Sequence, residues 1–280
     1  MKLITRISGF FIIAFIIFTA FTKHILLGIL AILLFLAYLM FSKRNTLFAS
    51  LANAAHLKGD IDQSLKWLDK AYKVDQKHHQ IAITYGYNLL KYSDIDKAEQ
   101  IFEKLLISSN TKEQRTAINM NLALVRWKQN RLDEAISILE EINERMKTSV
   151  LYGSLGCLYV EQGNLDHALA YNLEAYEYND SNTVILDNLG LNYILMDEWN
   201  KAEDIYSQLI QLKPKFPEAY YHLGLVQLNK GELSLAYESY VEALRQPFTH
   251  LSTVSKELIE LKKDELQGII QVDENKIETV

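Results

Sequence analysis

The chain has 280 residues, a formal net charge of −6 and 49% hydrophobic residues, enough apolar material for an extended core. Residues 1–44 hold Lys2, Arg6, Lys23, Lys43 and Arg44 and no acid, which leaves −11 on residues 45–280. An acidic body argues against phosphate-driven nucleic-acid binding, which needs clustered Lys and Arg. The single cysteine, Cys157, permits no intramolecular disulfide and no Cys-based zinc site, and the seven histidines fall in no metal-ligand spacing.

Two apolar runs open the chain, Ile7 to Phe21 and Ile25 to Phe41, separated by Thr22, Lys23 and His24. As helices they reach about 22 Å and about 26 Å, against roughly 30 Å of bilayer hydrocarbon. A cleaved signal peptide fits poorly, because Phe18-Thr19-Ala20 puts a bulky aromatic where a small residue is wanted. A single span, with the other run in the interface, is a second reading. A transmembrane helical hairpin over residues 1–44 is favoured. Lys2, Arg6, Lys43 and Arg44 at its ends outnumber Lys23 at its turn, so the positive-inside rule puts both ends, and everything after residue 44, in the cytoplasm. A single span would reverse that side.

After the hairpin, apolar residues recur at i, i+3, i+4 and i+7, the stripe of an amphipathic helix. Phe48, Leu51, Ala52 and Ala55 form a first helix, Gly59-Asp60 a turn, and Leu65, Leu68 and Ala71 a second helix. The next unit has Tyr85-Gly86 and Leu89, then Ala98, Phe102 and Leu105, with a turn at Ser93-Asp94. A third has Leu122-Ala123, then Ala135, Leu139 and Ile142, after the polar breaker 108–112.

From Tyr152 to Pro247 one pattern is written three times. Leu155-Gly156 and Tyr159 precede Gly163 and Ala168; Leu189-Gly190 and Tyr193 precede Ala202, Tyr206 and Pro214; Leu223-Gly224 precedes Gly231, Ala236 and Tyr240. Ala168, Ala202 and Ala236 lie 34 residues apart, a period that signals a stacked array. Each glycine of the Leu-Gly pair lets a neighbouring helix approach, each alanine is small at the crossing, and Pro214 ends its unit.

These residues resemble the tetratricopeptide repeat (TPR) family. The resemblance implies an all-α fold: a right-handed α-solenoid of about six helix pairs that binds peptides or proteins on its concave side. The units fall near 45–78, 79–115, 116–148, 149–182, 183–216 and 217–250, so that residues 45–250 form the superhelix. Residues 251–280 supply a capping helix and tail. Ser252 is read as the cap of that last helix and Val254, Leu258 and Leu261 as its buried stripe.

Residues about 100° round from the packing stripe of each first helix line the groove. They are Asn53; Thr84 and Tyr87; Met120, Asn121 and Leu124; Ser154, with Cys157 beside it; Asp187, Asn188 and Leu191; and Tyr221, His222 and Leu225. Groove cations that would clamp a partner's carboxylate terminus are absent from this set. Gly153 and Gly156 lie within a helix with no strand before them and form no phosphate loop. The tyrosines fall at packing positions, and Cys157 has no base beside it. The expected protein is therefore not an enzyme. It has no cofactor, metal or nucleic-acid partner, and it is a scaffold integral to the cell membrane through two spans. A regulator of a membrane enzyme, or an exported chaperone-like module if the topology is reversed, are the alternatives.

Overall fold

A computed structural model of the protein describes residues 15 and 17–278, with side chains up to 272. Among the described residues there is no strand. Residues 17–23 are helical, and after His24 come α1 (Ile25–Ser42), α2 (Arg44–Leu57), α3 (Ile61–Val74), α4 (His79–Tyr92), α5 (Ile95–Ser108), α6 (Lys112–Lys128) and α7 (Leu132–Asn143). They are followed by α8 (Ser149–Gln162), α9 (Leu165–Tyr178), α10 (Thr183–Leu195), α11 (Trp199–Gln211), α12 (Pro217–Asn229), α13 (Leu233–Arg245) and α14 (Lys256–Glu278). The chain divides into two compact units, residues 1–85 and 86–280, with the boundary inside α4.

In the first unit α1 is apolar on every side. Its 18 residues reach about 27 Å, long and apolar enough to cross a membrane. Its large side chains face outward, and only Gly28 is buried. The other expected span, Ile7 to Phe21, lies largely outside the described residues, so the hairpin rests on one described apolar helix. Lys43 alone separates α1 from α2. The pair α2/α3 buries Ala52 and Ala55 with Leu68 and Ala71, and Phe48 stacks on Trp67 with centroids 5.5 Å apart. Tyr85 is buried and donates to Asp69 Oδ1 at 2.9 Å.

In the second unit the antiparallel pairs follow from caps and turns. Asp94 and Asn164 cap second helices by accepting from the backbone N–H three residues on, and Thr111, Thr148 and Asn182 cap first helices. The inter-helix turn needs one left-handed residue. Gly163 (φ 89°) and Gly231 (φ 78°) supply it without strain. Asn130 (φ 62°) and Asp197 (φ 60°) adopt the same conformation at the matching place, where no glycine marks the turn.

At three crossings a glycine lies under a large ring, and at a fourth Gly156 faces the Asn172 amide. Gly86 faces Phe102, Gly190 faces Tyr206 and Gly224 faces Tyr240, all three rings being fully buried. Ala202, Leu186 and Leu209 join Tyr206 in one cluster, and Ala236 and Ala243 join Tyr240 in the next. At constant backbone distance a methylene more or less is felt, which is why the Leu-Gly and Ala positions are the most regular features of the sequence.

The last helix differs from expectation. Ser255, not Ser252, accepts from the Leu258 N–H at 3.1 Å and opens α14. Val254, Ile259, Leu266 and Ile270 join the cluster of the sixth pair, whereas Leu258 and Leu261 face outward. The reason is that the chain between α13 and α14 does not turn directly into the helix; it first crosses the first helices of the second unit.

Candidate partner-binding groove

Asn53 and Thr84 belong to the first unit, where Asn53 is exposed and Thr84 half-buried. The other anticipated residues lie in the second. Tyr87 and Ser154 are half-buried on α4 and α8. Met120 and Leu124 on α6, Cys157 on α8 and Leu191 on α10 are partly exposed and flank the large cluster of the third and fourth pairs. Leu225 flanks the cluster of the sixth.

Five anticipated groove residues are spent inside the fold. Asn121 donates to its own helix at Ala117 O, 2.7 Å away. Asn188 is buried and donates to Gly153 O at 2.8 Å, joining the fifth pair to the fourth. Asp187 is buried, accepts from Tyr206 Oη at 3.1 Å and lies 3.0 Å from His222 Nδ1, so one carboxylate links α10 to α11 and α12. Tyr221 stacks on Tyr240 with centroids 5.6 Å apart. The physical reason is that a first helix has two packing faces, one toward its own partner and one toward the next pair. Rotating 100° from the first reaches the second, and α10 consequently buries Ile185 through Gly190 without a break.

What covers the partly exposed side was not foreseen. Residues 246–255 run across it. The His250 N–H donates to Lys91 O at 2.9 Å, a carbonyl in the last turn of α4. Lys128 Nζ, at the end of α6, is 3.5 Å from Ser252 O, and the Thr253 N–H donates to Glu218 Oε1 at 2.7 Å in the first turn of α12. Leu251 packs on the same cluster that Met120, Leu124, Cys157 and Leu191 flank. The signal available in the sequence was Gln246-Pro247, which ends the repeat but does not say where the chain goes next.

The groups beneath this segment are shifted by burial. Burial pushes the Cys157 thiol up to about 12, so it stays protonated and is a poor nucleophile. Burial lowers the Lys128 ammonium and raises the Glu218 carboxyl, the latter with Asp187 adding to the rise. A carboxyl raised on folding contributes stability that is fully present below its unfolded value and is lost as pH rises through its folded value. Glu218→Gln keeps an acceptor for the Thr253 N–H without the charge. The variant should therefore melt higher than wild type at pH 7.5, and the gap should close by pH 4; thermal melts at the two pH values check it.

In the second unit, antiparallel pairs with a small residue at each crossing, each pair packed on the next, define a helical-repeat protein. The chain belongs to the tetratricopeptide repeat family: family models described as TPR repeat or tetratricopeptide repeat match residues 86–144, 150–182, 190–231 and 217–247. It is 26% identical over 212 residues to the transcription activator GutR of Bacillus subtilis, covering 66% of this chain and 25% of that protein. A TPR repeat-containing protein of Methanocaldococcus jannaschii is 26% identical over 133 residues, 44% of this chain and 24% of that one. The chain thus spans about a quarter of the length of these relatives. Among solved structures, a tetratricopeptide repeat protein of Parabacteroides merdae is similar with a TM-score of 0.64 and 14% identity, over 91% of this chain and 98% of that one. PilW, described as a widely conserved type IV pilus biogenesis factor, follows with 0.56 and 16%, over 71% and 92%. PilF of Pseudomonas aeruginosa has 0.55 and 15%, over 81% and 98%. Identities this low carry the fold alone.

Proposed function

We propose that the protein is a membrane-anchored scaffold that holds protein partners against the first helices of its repeats, with α1 as the anchor. The observation that carries this reading is α1 itself, an apolar helix turned outward on all sides and joined through Lys43 directly to a repeat array. A helix apolar all round needs a non-aqueous surrounding. The repeat fold supports the scaffold half of the reading, since stacked pairs offer an extended face to other proteins. With Ile7 to Phe21 as a second span, both ends share one side. The bias of Lys2, Arg6, Lys43 and Arg44 over Lys23 favours the cytoplasm for that side. Tyr87, Met120, Leu124, Ser154, Leu191 and Leu225 are the second-unit residues left on the partly exposed side to meet a partner.

The test is crosslinking in native membranes, with identification of the captured proteins, on wild type and on Leu124→Asp and Leu191→Asp variants. Specific capture that both substitutions reduce at least fivefold is the expected result. Capture that ignores both rejects this face as the docking surface. Extraction of the chain by alkaline carbonate rejects the anchor, and cleavage of the repeats by protease added to intact cells rejects the cytoplasmic side.

A further inference from the structure

Residues 249–252 form a small, self-contained turn. The Ser252 N–H donates to Thr249 O at 3.0 Å, the Leu251 N–H to Thr249 Oγ1 at 3.2 Å and the Thr249 N–H to Ser252 Oγ at 3.2 Å. Such bonds set a turn locally, without help from the surface beneath. The turn presents Leu251 to the cluster of the third and fourth pairs, its backbone reaches the Lys91 carbonyl and the Lys128 ammonium, and the next residue, Thr253, reaches the Glu218 carboxylate.

Those contacts differ from the packing within the repeats. Leu251, Thr249 and Ser252 are only half-buried, while His250 and Thr253 are exposed. Two hydrogen bonds from the turn, a third from Thr253 just after it, and one leucine hold the turn down. Its ends are fixed independently, by α13 on one side and by the buried Val254 on the other. Lifting the turn therefore breaks no helix and loses none of the turn's own bonds. The seat it would leave is floored by the hydrophobic cluster that Leu251 joins, with Lys128 set against Glu161 and Glu218, and the turn that fills it carries no Lys, Arg, Asp or Glu.

We propose that residues 249–252 are an internal ligand of the groove that a partner replaces, and that the partner presents an uncharged turn carrying one leucine-sized aliphatic side chain. This rests on the scaffold reading above and adds to it both the chemistry of the partner and the step that precedes its binding. In the closed state the tethered turn is held at high effective concentration beside the seat, and a ligand from outside binds with an affinity reduced by the fraction of molecules that are open. The strap thus sets a threshold that weak, unspecific aliphatic segments do not pass.

The experiment uses the full chain in nanodiscs and a fluorescent peptide of residues 246–255 with blocked ends, read by anisotropy. Leu251→Asp puts a charge at the tip of the tethered turn and opens the seat. Because the substitution lies in a loop, helix content by circular dichroism should match wild type. The expected result is peptide binding at least tenfold tighter to Leu251→Asp than to wild type, and loss of that binding when Leu124→Asp is added. Equal binding to wild type and Leu251→Asp overturns the proposal. So does an absence of binding to Leu251→Asp at millimolar peptide, which would make the turn a fixed part of the fold. If either occurs while membrane crosslinking still depends on Leu124 and Leu191, the scaffold reading stands without the strap. If the crosslinking dependence fails as well, both are rejected.

Discussion

Asp187→Ala should destabilise the protein by about 3 kcal/mol, because it removes a buried acceptor from His222 Nδ1 and leaves Tyr206 Oη only its longer bond to the backbone carbonyl of residue 187 at 3.3 Å. For a chain of this size that is a fall in melting temperature of about 6–12 °C. The carboxylate lies between three helices, accepting from Tyr206 Oη at 3.1 Å on α11 and facing His222 Nδ1 at 3.0 Å on α12, and all three residues are buried. Asp187→Asn retains an oxygen for the tyrosine and should cost less than half as much. Tyr206→Phe should cost about 1 kcal/mol, the value of one net hydrogen bond. The matching residue one repeat on gives the contrast: the buried Tyr240 Oη has no hydrogen-bond partner among the described residues, so Tyr240→Phe should be neutral within about 0.5 kcal/mol. Thermal and urea unfolding of the four variants check the order. A melting temperature of Asp187→Ala within 2 °C of wild type would mean that the carboxylate does not hold the pairs together.

The same residue marks the limit of what the sequence discloses. The crossings were legible because they repeat: Gly86, Gly190 and Gly224 oppose Phe102, Tyr206 and Tyr240 as the glycine and aromatic positions of the repeat imply. Turn positions with Gly163 and Gly231 were legible for the same reason, whereas Asn130 and Asp197 carry no fixed signal, since either residue also sits comfortably in ordinary loops. The groove was only partly legible. A helical wheel gives angles but not what lies at each angle, and in a stacked array the next pair covers an arc that an isolated helix would leave open. Asp187, Asn188, Tyr221 and His222 fall in that covered arc; Met120, Leu124 and Leu191 lie at its edge. A usable clue was present in the spacing. Asp187 with His222, Asn188 with Gly153, and Glu218 with Thr253 are each 35 residues apart, close to one period, as expected for side chains that bridge neighbouring units. Beyond the Glu218–Thr253 pair the strap left little trace, because its bond to Lys91 joins two backbone groups, which any sequence supplies, and Lys128 reaches a backbone carbonyl that no residue type marks.

Gly190→Ala should cost about 2 kcal/mol even though alanine is the better helix former. A Cβ built on Gly190 would stand 2.6 Å from Cε2 and 2.9 Å from Cζ of Tyr206, nearer than real side chains approach. The ring cannot swing aside, since it is fully buried and its hydroxyl is held by Asp187. Overpacking of this kind costs roughly 1–3 kcal/mol, against a gain of up to about 1 kcal/mol in helix propensity. Gly190→Leu, with three more carbons in the same place, should pass the upper end of that range. The control lies on α14, where nothing stands within 4 Å of a Cβ added to Gly268; there the propensity term acts alone, and Gly268→Ala should stabilise by up to about 1 kcal/mol. The cause is separable from the size of the effect by a double-mutant cycle. Tyr206→Leu removes the ring atoms that the new methyl would meet, so the loss from Gly190→Ala should shrink by at least 1 kcal/mol in that background. Strict additivity would show that Gly190 is there for some reason other than the approach of α11, and that steric room under the ring does not explain the Leu-Gly pair at this crossing.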